Sequence, residues 1–220
     1  MKNRLPQIFS GSRICIICEG DEEYEYLERL ISLQVWNKNY EFVLENAEGN
    51  GNIPARYQDK YQNGFYDLVL VFCDTDKKPY EQYHDIKRKI NEIHGTDHAA
   101  DQVVIFGNPC TMQIMIEHWD EIVLESHKKN KNAPLIYTLT GVENYKGRAD
   151  QRQALFSRIT KENYQEMRKR IKMLPTDDKI KGSSNFGNFV EHFSSDDDGF
   201  GKLMMRCTAV YEVRSAGYSG

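Results

Sequence analysis

The segment from Arg13 to Tyr26, RICIICEGDEEYEY, constrains the fold more than any other stretch of the chain. It opens with an uninterrupted apolar run, Ile14 to Cys18, which is typical of a strand covered on both faces in a parallel sheet. Gly20 then marks a tight turn, and the acidic residues after it are typical of the first turn of a helix. The segment therefore predicts a buried strand followed directly by a helix.

Similar units follow along the first half of the chain. Apolar runs predict further strands over Tyr40 to Leu44, Asp67 to Cys73 and Gln102 to Phe106. Amphipathic segments with apolar residues at spacings of three and four separate them and predict helices. Strands that alternate with helices in this way predict an α/β fold, with a parallel sheet flanked by helices.

The pattern changes after Glu125, where polar loops and helices predominate. The clearest helix is predicted over Lys161 to Leu174, and a late strand over Lys202 to Val213. We therefore divide the chain into an α/β core, residues 1–126, and a basic, mainly helical extension, residues 127–220, that packs on the core.

Charge is distributed unevenly between these parts. From Glu125 to Gly182 the chain has 14 Lys and Arg against 7 Asp and Glu, a net charge of +7, whereas the rest carries −11. On the predicted helix in this basic stretch, Arg168, Lys169, Arg170 and Lys172 face outward and are candidates for binding phosphates. The alternative is an ordinary exposed helix with solvated charges.

Composition also argues against some classes of protein. No apolar run approaches the roughly 20 residues that span a bilayer, and Met1 to Ser12 lacks a signal-peptide core, so we expect a cytoplasmic protein without a membrane partner. Cys15 and Cys18 have C-x-x-C spacing, but in a strand they point to opposite faces. We therefore expect buried thiols there and no zinc or redox pair.

Acidic residues follow two of the predicted strands. Glu19 ends the first strand and Glu23 lies one helical turn later, whereas Asp74 and Asp76 follow the strand that ends at Cys73. The carboxyl ends of parallel strands meet at one edge, where ligands bind, so these four could converge. Crowded carboxylates repel one another unless cations neutralise them. A Mg²⁺ (or Mn²⁺) site that serves phosphodiester cleavage is the first hypothesis.

Plainer interpretations exist for the same residues. Asp74 and Asp76 could serve as turn and capping residues before Pro79. Asp21 and Glu22 are well explained as acids that complement the helix dipole. That explanation does not extend to Glu19, which lies before the helix.

Several short motifs carry a resemblance to a known family. A strand ending in C-E-G-D-E-E, followed by one ending in D-T-D, resembles the TOPRIM domain of topoisomerases, bacterial primases and OLD-family nucleases. More narrowly, the chain is similar to the RloB-like family, small TOPRIM proteins associated with restriction and phage-defence loci. The motifs that carry this likeness are Glu19 to Leu27, Asn108 to Cys110 with His118 and Trp119 after it, Tyr145-Lys146, and Ser183 to Phe193.

The resemblance implies a metal-dependent nuclease that acts on DNA or RNA in phage defence. Glu19 would act as a general acid or base or as a metal ligand, Asp74 and Asp76 as ligands, and Glu23 as a supporting acid. Lys146 matches a family motif and is the basic residue expected near the site. Besides nucleic acid, the partners considered are a companion ATPase or restriction-system protein and a second copy of the chain, as a homodimer.

Two positions depart from the family pattern. Members usually have an acid two residues after the N-P-C turn, where this chain has Met112, which we predict on the buried face of a long helix. Glu117 and Gln113 are predicted on the opposite, polar face. The topoisomerase pattern would place an acid at position 78, where Lys78 stands and could instead contact the scissile phosphate.

These departures leave other functions open. One is a catalytically decayed TOPRIM protein that binds nucleic acid or regulates a defence complex. Another is a receiver-like phosphoacceptor, which would need a lysine at the end of a fifth core strand, and no such strand is predicted after Asn108. Asn108 itself could orient a nucleic-acid substrate or simply stabilise the turn before Pro109.

Overall fold

The computed structural model describes residues 12–75 and 81–194, and this part of the chain forms a parallel sheet with helices around it. None of the helices described there is both long and apolar enough to span a bilayer. The strands are β1 (Ser12–Cys18), β2 (Tyr40–Asn46), β3 (Leu68–Asp74) and β4 (Val104–Gly107). The helices are α1 (Asp21–Ser32), α2 (Ile53–Asn63), α3 (Glu81–His94), α4 (Ala99–Val103), α5 (Met112–Ile116), α6 (Lys129–Thr140), α7 (Ala149–Phe156), α8 (Lys161–Ile171) and α9 (Phe186–Ser194), with a 3₁₀ turn at Asn50–Asn52.

The strands lie in the order β2-β1-β3-β4, and all of their pairings are parallel. β1 is therefore an inner strand, with Ile14 paired to Phe42 on one side and to Leu68 on the other. Every residue from Ile14 to Cys18 is buried, as the apolar run requires. The predicted α/β fold, a parallel sheet flanked by helices, is confirmed.

Side chains cover the outer edge of β4. The Phe106 N–H donates to Asn185 Oδ1 at 3.0 Å, and Asn185 Nδ2 donates to the Val104 carbonyl at 2.7 Å. The Ser184 hydroxyl donates to the Phe106 carbonyl at 2.7 Å. These bonds satisfy backbone groups that another strand would otherwise have to pair.

The predicted mainly helical extension is also confirmed over residues 127–194, which contain α6 to α9. Buried residues of these helices, including Ile136, Tyr164 and Phe186, belong to the same hydrophobic core as the sheet. The late strand predicted over Lys202 to Val213 lies outside the described residues. The division of the chain at residue 126 also stays a prediction.

The segment after Cys110 differs from its prediction. α5 is only five residues long, and Gln113 and Glu117 are buried with Met112, whereas a polar, exposed face was expected for them. The expected face is covered because Gln113 accepts from the Leu124 N–H at 2.8 Å and donates to Glu117 at 2.9 Å. Arg170 also donates to the Glu117 carbonyl at 2.7 Å. Hydrogen bonds within the protein therefore take the place of the water that would have solvated Gln113 and Glu117 on an exposed face.

The cysteines are placed as expected. Cys15, Cys18, Cys73 and Cys110 are buried free thiols. Burial raises the pKa of the Cys15 thiol to about 12, so the thiol stays protonated at neutral pH. The predicted burial of Cys15 and Cys18 is confirmed, and the absence of a zinc site or redox pair between them stays a prediction.

The buried carboxyl of Glu117 should make stability depend on pH. Burial raises its pKa to about 7 from 4.5, with additions from Glu121 and Asp120, against the Gln113 hydrogen bond and the Arg170 charge. Between about pH 4.5 and pH 7 the folded protein therefore keeps this proton, whereas the unfolded chain has released it. This group's contribution to the free energy of unfolding is fully present below about pH 4.5 and falls as the pH rises through about 7.

Glu117→Gln should remove this fall, which we expect to be on the order of 1–3 kcal/mol, because a neutral amide does not titrate. Urea unfolding of both proteins between about pH 5 and pH 8 measures it. Glu28→Gln, an exposed change at a residue that is not among those shifting the pKa of Glu117, should leave the slope as in the parent. A slope that persists unchanged in Glu117→Gln would contradict the prediction.

Candidate active site

Glu19 and Asp74 lie side by side at the carboxyl edge of the sheet. Glu19 follows β1, and Asp74 ends the neighbouring strand β3. The Asp74 N–H donates to Glu19 Oε2 at 2.9 Å, and the Glu19 N–H donates to the Phe72 carbonyl at 3.0 Å. Both side chains are only partly buried. The structure thus brings together two of the carboxylates that the strand ends pointed to.

Thr111 connects this pair to a third carboxylate, that of Glu23. The Thr111 N–H donates to Asp74 Oδ1 at 2.6 Å, and its hydroxyl donates to Glu23 Oε1 at 2.6 Å. Glu23 Oε2 accepts from the Gly20 N–H at 3.1 Å. Glu23 is only 5% exposed. It is therefore placed to hold two turns in position and has little surface to offer a substrate.

The turn that carries Thr111 depends on Gly107. A Cβ atom at Gly107 would lie 2.7 Å from the Cys110 carbonyl oxygen and 2.8 Å from Thr111 Cα. Both are backbone atoms and cannot rotate away as a flexible side chain could. The close approach of the two backbone segments, which aims the Thr111 N–H at Asp74, therefore requires glycine here.

A fourth carboxylate, Glu22, belongs to the same cluster. Lys129 Nζ lies 3.0 Å from Glu22 Oε2, and the Tyr145 hydroxyl donates to Glu22 Oε1. Glu22 lies in the first turn of α1, as the helix-dipole interpretation expects, but that interpretation does not account for its burial at 9% exposure or for its two tertiary partners. We call Glu19, Glu22, Glu23 and Asp74 the carboxylate cluster.

The electrostatics of the cluster favour an additional cation. Burial raises the pKa of Glu23 to about 8, and the charges of Glu22 and Glu19 add to the rise. Burial by itself would lower the pKa of Lys129, but Glu22, Glu23 and Asp74 together raise it above its usual value. Within residues 12–75 and 81–194, the Lys129 ammonium thus faces several acidic groups, and this part of the chain leaves the cluster with an excess of negative charge.

Lys146, the basic residue expected near the site, is exposed. Its backbone N–H donates to Gln151 Oε1 at 2.8 Å, and its ammonium makes no ion pair within the described residues. The tyrosine of the Tyr145-Lys146 motif reaches the cluster instead, and Lys129 supplies the ammonium. Sequence reasoning missed Lys129 because it stands among other lysines, and only the packing of α6 shows which of them reaches Glu22.

The described donor set fits a magnesium ion that is held partly by water and substrate. Asp76, the third predicted ligand, and Lys78 lie outside the described residues, and within those residues no three His, Cys, Asp or Glu are grouped to hold a metal. Mg²⁺ in phosphoryl-transfer sites needs only one or two carboxylates besides waters and phosphate oxygens. Glu19 and Asp74 supply two, and a carboxylate oxygen that accepts an N–H keeps a second lone pair.

Asn108 is a residue of the turn and has almost no exposed surface. It is 2% exposed, and its Nδ2 donates to the Asp178 carbonyl at 2.7 Å. Its N–H donates to the Ser183 carbonyl at 3.0 Å, and its own carbonyl accepts from the Gly182 N–H. These bonds favour the structural alternative for Asn108 over contact with a nucleic acid.

The four cations predicted on α8 are all engaged within the protein. Arg168 and Lys172 both contact Glu191, at 3.2 Å and 2.8 Å. Lys169 pairs with Glu166 at 2.7 Å. Arg170 is bound to a backbone carbonyl, as described above. A phosphate would therefore have to compete with existing partners at each of these side chains.

Comparisons of the chain with protein-family models, with curated proteins and with solved structures found no match. The resemblance to TOPRIM and RloB-like proteins therefore stays a prediction. What the chain can do has to be argued from the geometry of the carboxylate cluster.

Thr111→Val tests the connection between Asp74 and Glu23. The change keeps the backbone bond to Asp74 but leaves a buried Glu23 oxygen without its hydroxyl donor. We expect a loss of about 1–3 kcal/mol in the free energy of unfolding, measured by urea denaturation. Thr138→Val is the matched control, because its hydroxyl is exposed and bonds only to the Pro134 carbonyl. Equal losses in the two variants would contradict this role for Thr111.

Proposed function

We propose that the chain is a Mg²⁺-dependent nuclease that hydrolyses phosphodiester bonds in DNA or RNA. The observation that carries the proposal is the pairing of Glu19 with Asp74 at the carboxyl edge of a parallel sheet, where ligands of such sheets bind. Both carboxylates are partly exposed, and Asp74 lies close enough to Lys129 for its charge to raise the pKa of that lysine. A role in phage defence, with a companion ATPase or restriction-system protein, rests on the sequence resemblance alone.

The residues of the cluster divide into two roles. Glu19 and Asp74 would hold the metal ion, which when bound polarises a phosphate oxygen and activates water. Glu23 and Thr111 are positioning residues, because they are buried and reach the site through Asp74 and Gly20. Glu23 was predicted from the sequence to be catalytic, and its burial favours this indirect role.

Lys129 gives the cluster its positive charge on the protein side. Its ammonium lies against Glu22 and remains 44% exposed, so it can also face an incoming phosphate. The Tyr145 hydroxyl holds the other oxygen of Glu22 and fixes the carboxylate between them. This arrangement lowers the repulsion between the acidic edge of the sheet and an anionic substrate.

Loss of either proposed ligand should abolish metal-dependent cleavage. We expect Glu19→Gln and Asp74→Asn each to lower the rate of cleavage by roughly 100-fold or more, because each removes a charged metal ligand. The measurement is a Mg²⁺ and Mn²⁺ titration of cleavage on single-stranded and duplex DNA and on RNA.

Glu28→Gln is the matched control, since Glu28 is an exposed carboxylate on the same first helix. It should cleave as the parent does. Equal activity in the parent, Glu19→Gln and Asp74→Asn would remove the assignment.

A decayed, non-catalytic TOPRIM-like protein is the second candidate. The observation that favours it is the lack of a third grouped ligand within residues 12–75 and 81–194, together with buried Met112 where the family has an acid. This candidate predicts binding of nucleic acid that survives Glu19→Gln, no cleavage by the parent, and thermal unfolding that does not change with added Mg²⁺.

A further inference from the structure

Lys129, at the border of the carboxylate cluster, has exposed lysines before and after it in the chain. Lys128 precedes it and Lys131 follows it in the first turn of α6, and both are exposed. The loop that carries Lys146 lies against the same side chain, because a Cβ atom on Gly147 would be 2.5 Å from Lys129 Nζ. We call Lys128, Lys131 and Lys146 the α6 rim.

The α6 rim differs from α8 in the state of its cations. None of its three ammonium groups makes an ion pair or a hydrogen bond with a residue of the described part of the chain. On α8, by contrast, Lys169 and Lys172 are each bound to a glutamate. A phosphate that binds the rim displaces only mobile counterions, whereas one that binds Lys169 or Lys172 must first break an ion pair.

Tyr145 fixes the rim relative to the cluster. Its hydroxyl is bonded to Glu22 and its side chain is fully buried. The backbone of the adjacent residue, Lys146, is therefore fixed in position. Gln151 holds the same loop through the Lys146 N–H and through the carbonyls of Glu143 and Asn144. Lys146 therefore stands on a supported loop beside Lys129.

We propose that the α6 rim binds the backbone phosphates of a nucleic-acid strand next to the bond held at the carboxylate cluster. The identity of the ligand rests on the proposed function, whereas binding itself can be measured without cleavage. An acidic site repels a polyanion, so attraction by neighbouring cations is needed to bring the strand there. The rim provides this attraction, and α8, which the sequence had suggested, does not.

The test compares two triple variants that lose the same charge. Lys128→Gln/Lys131→Gln/Lys146→Gln removes the rim, and Lys161→Gln/Lys169→Gln/Lys172→Gln removes three exposed lysines of α8. Binding to single-stranded DNA, duplex DNA and single-stranded RNA of equal length is measured by fluorescence anisotropy over a range of salt concentrations. A chelator is present throughout, so that no divalent ion supports cleavage.

The parent should bind with an affinity that falls as salt rises. The rim variant should bind at least about 10-fold more weakly, and its plot of log affinity against log salt should be less steep by about 2 to 3, because three phosphate contacts are lost. The α8 variant should keep the affinity and slope of the parent. Which of the three probes binds tightest identifies the strand type.

Three results would overturn the proposal. One is a rim variant that binds nucleic acid as tightly as the parent does. Another is an equal loss of affinity in the rim and α8 variants, which would show that only the net charge of the protein matters. The third is a parent that binds none of the probes but does bind vesicles containing anionic phospholipid. Rim-dependent binding without any cleavage would instead refute the nuclease and leave this inference standing.

Discussion

The parallel register between β1 and β3 is the constraint on which the rest of the site depends. Cys18 pairs with Phe72, so the residues that follow, Glu19 and Asp74, leave the sheet at nearly the same level. A slip of one residue in this register would turn Glu19 toward the opposite face of the sheet. The charged residues that bound the apolar run of β1 oppose such a slip, because it would draw Arg13 or Glu19 into the buried part of the sheet.

The carboxylates of the cluster lie close together although their negative charges repel one another. Four carboxylates and the Lys129 ammonium share one end of the sheet, and Glu23 is held there by Thr111 and Gly20 despite its burial. The fold accepts this cost because backbone N–H groups and hydroxyls satisfy the oxygens one by one. Crowding of this kind can be relieved by a bound cation or by a retained proton, and it is the physical basis of the function that we propose for this edge of the sheet.

The parts of this structure that the sequence predicted depend on local pattern. Buried strands were recognisable from apolar runs, and the meeting of Glu19 with Asp74 followed from the rule that parallel strands end at one edge. Thr111 and Lys129 could not be found in this way, because their roles depend on how α5 and α6 pack against the sheet. Glu117 was placed on the wrong face because helical periodicity was extended beyond Ile116, where the chain leaves the helix and is covered by Arg170.

The amide of Asn185 and the hydroxyl of Ser184 have a consequence beyond local hydrogen bonding. Together they occupy the backbone groups of Val104 and Phe106 that a neighbouring molecule would use to continue the sheet. Another chain could add a strand at this border only by breaking three hydrogen bonds that are already formed. The two side chains thus protect the β4 edge against edge-to-edge association with another sheet. Copies of the protein that associate must therefore do so through other surfaces.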